Sequence, residues 1–310
     1  MPTCAAHSRR QAGTSLVELV IAMTVGMVLV TVMLRGTAAS STHAAVNSVL
    51  AEYLTNGRYA LEVIRRDLRH AAMSPLIWEG AQVQVNGAVS AQNYGCGAGF
   101  DTTVIDAGLW AANDTNPFSS TCLATGTDRQ YQRGDVMVVR KLSNQPVSAF
   151  AAKAPYLRIS YGAGNMFLGE QTPAALPSPV YDHAVLTDVY YVNAFTYSKD
   201  EKPLVPALYR LRLSAGGTPR MTPELVASNV EHLQLRLGVD DGSGNVRLVS
   251  PGAVTDWSAV RSAQVWLLLR GTQPESGLPK ASYSLGDVTY SPDDSYRRTV
   301  LSTVVHLRSR

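Results

Sequence analysis

The sequence predicts an α+β fold: one long N-terminal helix packed on a mainly antiparallel β-sheet domain. Two observations carry this. Residues from Leu16 to Leu34 form an apolar run of 19 with Glu18 as the single ionisable side chain, and the periodicity continues helical well past it. Everything after residue 75 reads as short alternating or β-branched runs separated by turn residues, with little alternation of strand and helix. A helix followed by a succession of strands argues α+β rather than a parallel α/β sheet.

The apolar run comes first. Nineteen helical residues rise about 28 Å, close to the hydrocarbon thickness of a bilayer. A carboxylate inside such a run is costly unless it finds a partner, so Glu18 is a candidate functional residue. A secretory signal peptide would have a shorter apolar core and a small-residue cleavage site after it, and Gly36 to Ser41 form no such site. A plain membrane anchor has no use for Glu18. Arg9 and Arg10 precede the run and Arg35 alone follows it closely. The positive-inside rule then keeps the N-terminus in the cytoplasm and exports the rest.

After a soft point at Gly36–Ser41, the residues Leu50, Tyr53, Leu54, Gly57, Leu61, Ile64 and Leu68 recur at spacings of three and four. They form the apolar stripe of an amphipathic helix, which needs a cover. Glu52, Arg58, Glu62, Arg65, Arg66 and Asp67 fall mostly off it, and Pro75 ends the helix. The expected strands follow at Val136–Arg140, Tyr156–Tyr161, Leu186–Tyr197, Ala207–Leu213, His232–Val239, Val260–Arg270 and Tyr296–Leu307. Lys199–Pro203 is expected as a hairpin loop and Asp241–Asn245 as a turn, while Gly95–Ser120 and Gly162–Pro179 read as loop insertions.

Composition narrows function. With 310 residues, 45% hydrophobic and 16% charged, the chain is an ordinary folded one. The net charge is +3, and Arg9 with Arg10 supply two of these charges, so no strong nucleic-acid binding is expected. Cys96 and Cys122 are an even pair in an exported segment and predict a disulfide, while Cys4 lies before the apolar run. The six histidines are scattered and match no metal or hydrolase motif, so no cofactor, metal or enzymatic activity is expected. His183 beside Asp182 and Asp188 reads as a satisfied or surface histidine rather than an acid–base group. Asp241, Ser243 and Asn245 alternate like calcium ligands, but the glycine and glutamate of a calcium loop are missing, and a plain turn is favoured.

The stretch Gly13-Thr14-Ser15-Leu16-Val17-Glu18 resembles the processing site of type IV prepilins and type II secretion pseudopilins. That resemblance implies a leader of residues 1–13 cut by prepilin peptidase between Gly13 and Thr14, and an N-methylated Thr14 where the family usually has Phe. It also places Glu18 at the fifth mature position, where it serves subunit assembly. Ala60 to Ala72, Gly134 to Arg140, Glu224 to Asp240, Val254 to Arg261 and Tyr296 to Arg308 are similar to segments of PilW-type minor pilins. The implied layout is leader 1–13, helix 14–74 with the transmembrane segment 16–34, and a periplasmic β-rich domain 75–310. The implied function is a minor pilin that primes or caps a type IV pilus. Its partners would be other minor pilins, the major pilin, prepilin peptidase and the bacterial inner membrane. The alternatives are a type II secretion pseudopilin of the J kind, and a tip adhesin or DNA-uptake module whose recognition loop would lie around Cys96–Cys122.

Overall fold

The computed structural model describes residues 15–71, 82–90, 92, 94, 96, 108–123, 130–214 and 219–307, without the side chains of 38–46. The chain divides into two units, residues 1–51 and 52–310. Helix α1, Leu16–His70, belongs to both, its last nineteen residues being built into the second unit. The helix continues through Gly36–Ser41, where the sequence reading places a soft point. It ends at His70, and Pro75 lies outside the described residues.

The second unit has the strands β1 (Gln82–Val85), β2 (Leu109–Ala112), β3 (Val136–Leu142), β4 (Pro155–Ser160), β5 (Ala163–Leu168), β6 (Tyr181–Asn193), β7 (Ala207–Leu213) and β8 (Met221–Ser228). These make one eight-stranded sheet, all antiparallel except the β1–β5 pair. Strand β6 is its axis. Its first residues pair with β4, and its later ones pair with β3 on one edge and β7 on the other. A second sheet of four strands follows, in the order β10 (Val246–Val249), β9 (Val230–Asp240), β11 (Val260–Pro274), β14 (Tyr296–His306). Strands β12 (Tyr283–Leu285) and β13 (Val288–Tyr290) form a separate hairpin. The α+β expectation therefore holds.

The stripe on the helix does what its spacing requires. Tyr53, Ile64 and Leu68 are buried, together with Ala60 and Val63. A Cβ on Gly57 would fall 2.3 Å from a Leu269 methyl and 2.9 Å from a Leu301 methyl, so the missing side chain lets the helix approach β11 and β14 closely. The facing surface is apolar by strand alternation: Leu233, Leu235 and Leu237 of β9 lie in register with Leu267, Val265 and Ala263 of β11.

Two expected loops contain strands. The Gly162–Pro179 segment holds β5, paired to β4 through a two-residue turn at Tyr161-Gly162, with Gly162 at φ 72°. Ala-Gly-Asn at the start of β5 looks like turn chemistry and concealed it. The Gly95–Ser120 segment holds β2 and carries Cys96, which is bonded to Cys122. Both cysteines are buried in a cluster with Tyr94, Phe118, Leu123, Val136 and Tyr191. The bridge thus fastens this segment, read from sequence as a loop insertion, into a core. It closes a separation of 26 residues, for which chain entropy gives about 3–4 kcal/mol of stabilisation. The double substitution Cys96→Ser, Cys122→Ser is expected to lower the unfolding free energy by about that amount. Chemical denaturation with an unchanged midpoint would contradict the entropic account.

Candidate functional site

The feature that the chain leaves unsatisfied is the first part of α1. Leu16–Thr37 has a mean hydropathy of 2.4 and is long enough to cross a membrane, and none of its window is buried within the structure. Its large side chains are exposed on every side: Leu16, Val17, Leu19 and Val25 fall on different faces of the helix, and all are more than half exposed. A helix apolar all round needs lipid or other apolar helices as its surroundings. Its threonines already fit that setting. Thr24 donates to the Ile21 carbonyl and Thr31 to the Met27 carbonyl, so their hydroxyls need no water. Glu18 lies in the first turn, where the helix dipole favours a negative charge. Its side chain is exposed and has no ion-pair partner among the described residues. Gly13 and Thr14 lie outside the described residues.

The later part of α1 is anchored by charge as well as by apolar contact. Asp67, which the sequence reading placed mostly off the buried stripe, is buried at its edge. Lys141 Nζ of β3 lies 2.6 Å from Asp67 and 3.0 Å from Asp188 of β6. Tyr190 donates to Asp67, and Arg210 approaches the same carboxylate at 3.5 Å. Arg212 grips Asp188 with two hydrogen bonds of 2.8 and 3.1 Å, and Arg210 does the same to Glu224. Three carboxylates and three cations thus close one network. Burial raises the Asp188 pKa, but the hydrogen bonds from Arg212 and the charges of Lys141 and Arg212 outweigh it and hold the group below the ordinary range. The periodicity missed Asp67 because a helical-wheel reading assigns charges to solvent by default. A Tyr and a Lys on neighbouring strands cannot be matched to it before the strand register is known.

The other candidates resolve individually. His183 is buried, its Nδ1 2.8 Å from the Ser143 carbonyl, while Asp182 takes two hydrogen bonds from Arg158 and Asp188 belongs to the network above. The three side chains have separate partners and form no acid–base group. In the Asp241–Asn245 turn, one Asp241 oxygen accepts from the Ser243 N–H, the Ser243 hydroxyl and the Asn245 N–H, which is the work of a turn residue. The expected hairpin loop Lys199–Pro203 is organised by Glu201, whose carboxylate accepts from the N–H groups of Thr196, Tyr197 and Val205.

With this geometry in hand, the comparisons with known proteins can be read. Residues 189–309 match the PilW family, Type IV Pilus-assembly protein W. The matched segment runs from the second half of β6 through the whole four-stranded sheet to the end of β14. It includes three of the sequence segments that carried the resemblance, those beginning at Glu224, Val254 and Tyr296. The segments at Ala60–Ala72 and Gly134–Arg140 lie before it. A type IV-like pilin from Thermus thermophilus is similar at 13% identity, over 83% of this chain and 96% of that one, with a TM-score of 0.35. No curated protein matches the chain.

One further group in the domain joins the two sheets. The Arg133-Gly134-Asp135 turn, which precedes β3, inserts against β9. Asp135 is fully buried and accepts from the N–H groups of Leu235 at 2.7 Å and Asp114 at 3.0 Å, while its own N–H donates to the Leu233 carbonyl. A Cβ at Gly134 would meet that carbonyl at 2.4 Å, and φ there is 84°, so glycine is required. No cation pairs with Asp135 among the described residues. Burial pushes its carboxyl up to about 7; the two N–H bonds oppose this and the charges of Asp114 and Asp287 add to it. A carboxyl raised in the folded state contributes stability that is present in full below its unfolded value of 3.8 and is lost as pH rises through about 7. From pH 5 to 7.5 the wild type should therefore lose stability relative to Asp135→Asn, on the order of a few kcal/mol. Denaturation of both proteins at the two pH values measures this, and a pH-independent difference would contradict it.

Proposed function

We propose that this protein is a minor pilin that takes part in assembling a type IV pilus, priming or capping the filament together with other minor pilins. The observation that carries the reading is the exposed apolar helix Leu16–Thr37 with Glu18 in its first turn, on a chain whose residues 189–309 match a pilus-assembly family. The layout follows the sequence expectation. Residues 1–13 are the leader, prepilin peptidase cuts between Gly13 and Thr14, and Thr14 becomes the N-methylated terminus. The helix is held in the bacterial inner membrane, and the β-rich part lies in the periplasm until assembly moves it into the pilus.

The mechanism rests on one electrostatic cost. A carboxylate within an apolar helix is expensive alone and tolerable beside a cation. After cleavage, Thr14 carries a terminal amine four residues before Glu18. An amine of the same chain can pair with Glu18, and so can the amine of a neighbouring subunit. The intersubunit pair makes assembly the way to satisfy Glu18 and sets the axial register between helices. The remaining apolar surface is covered by lipid before assembly and by the helices of the major pilin and other minor pilins afterwards. The reading calls for no catalytic group and no cofactor.

Glu18→Ala tests this. The variant is expected to insert in the membrane at wild-type level, to be absent from sheared pili, and to reduce piliation severely. Wild-type pilus number with the variant present in the filament would overturn the assigned role of Glu18.

A further inference from the structure

Among the described residues the four-stranded sheet has two edges without a further strand, β14 on one side and β10 on the other. Natural edge strands are normally short, charged, interrupted by proline or covered. In the eight-stranded sheet, β8 follows this rule with Pro223 and Glu224, and β1 is four residues long. Strand β10 follows it as well, with four residues and Arg247, but strand β14 does not. It runs for 11 residues, and Thr299 to Val305 contains no charge, proline or glycine.

The hydrogen-bond phase shows what each edge offers. The Leu307 N–H donates to the Arg261 carbonyl. In an antiparallel ladder, bonded and non-bonded pairs alternate. With His306 opposite Ser262 and Val304 opposite Gln264, the residues Val300, Ser302, Val304 and His306 turn their own N–H and C=O groups outward. On the other edge the Asp241 N–H donates to the Asn245 carbonyl, and Val246 is opposite Asp240 and Leu248 opposite Gly238. By the same alternation, Val246 and Leu248 direct their backbone groups outward; the Leu248 carbonyl already accepts from the Arg236 guanidinium at 2.8 Å, and its second lone pair is left for an incoming strand.

Direction and side chains agree with this. All three pairings in the sheet are antiparallel, so four strands alternate and β10 and β14 run in opposite directions. A second copy displaced sideways without rotation would bring its β10 against β14 in antiparallel sense. The outward-bonding residues of both edges also carry their side chains on one face, the face away from Leu267 and Leu301. On it Val304 is 53% exposed, Val246 54% and Leu248 48%. These are the large apolar side chains that the two edges leave in solvent, and the pairing would set them side by side.

We infer that β14 of one chain pairs with β10 of a second copy of this chain, head to tail, continuing the four-stranded sheet from one subunit to the next. The copies keep the same orientation, which is compatible with anchoring in one membrane. The contact is a few residue pairs, well below the roughly 1,200–2,000 Å² of a stable interface in solution, so it forms between chains already concentrated in one bilayer. The inference does not depend on the pilus reading and would survive its failure.

Cross-linking of the full chain in liposomes tests it, in a Cys4→Ser background. One preparation carries Val304→Cys, and the other carries Val246→Cys or Leu248→Cys. Directly paired residues lie about 5.5 Å apart at Cα, within disulfide reach. On oxidation, a disulfide-linked dimer is expected in the mixture and absent from each preparation alone. Adding Ser302→Pro to the Val304→Cys chain removes an outward N–H that β11 does not use, and should abolish the dimer. Ser302→Lys, a charge guard on the same edge, should do the same, and circular dichroism shows which variants remain folded. No dimer in the mixture, a Val304→Cys chain linked to itself, or cross-linking in native membranes to a different protein would each overturn the inference.

Discussion

The close approach of residues 52–70 to the four-stranded sheet is the contact on which the domain depends. Gly57 removes the side chain that would collide with Leu269 and Leu301, and Tyr53, Ile64 and Leu68 fill the space on either side of it. At the end of the helix, Asp67 reaches the other sheet, where Lys141, Tyr190 and Arg210 receive it. One helical segment therefore closes the apolar face of one sheet and completes an ionic network on the other. Removing a single member of such a network leaves a buried charge without its partner, so the network favours one seating of the helix over its alternatives. Asp135 works at a second point, tying β3 to β9 through backbone N–H groups rather than through a cation.

The earlier part of the same helix has the opposite character. From Leu16 to Thr37 it offers apolar side chains in every direction and buries none of its window. Such a surface has to be covered by something other than this chain. Its single carboxylate, Glu18, adds a demand that hydrocarbon cannot meet and an ammonium can. The match of residues 189–309 to a pilus-assembly family gives this physical demand a biological setting.

Much of this was legible before the structure. The two-part helix, its stripe, the disulfide and seven of the strands follow from period, turn residues and cysteine count. What stayed hidden is instructive. Strand β5 begins with Ala-Gly-Asn and β8 contains Pro223, so local composition argued against both; β5 is held by its pairing to β4, and β8 tolerates proline because it lies at an edge. Asp67 fell among the charges off the stripe, and Asp135 stood in a turn before β3. Their burial depends on partners more than 70 residues away, Lys141, Tyr190 and Leu235, and nothing local announces such partners.

The claim at the centre is that the apolar helix begins at a processed N-terminus, which leaves Glu18 four residues from a free amine. Intact mass measurement of the chain extracted from membranes tests this most directly. The account predicts the loss of residues 1–13 and a chain beginning with methylated Thr14. A chain that retains its first 13 residues, or one cut beyond Leu34, would contradict it.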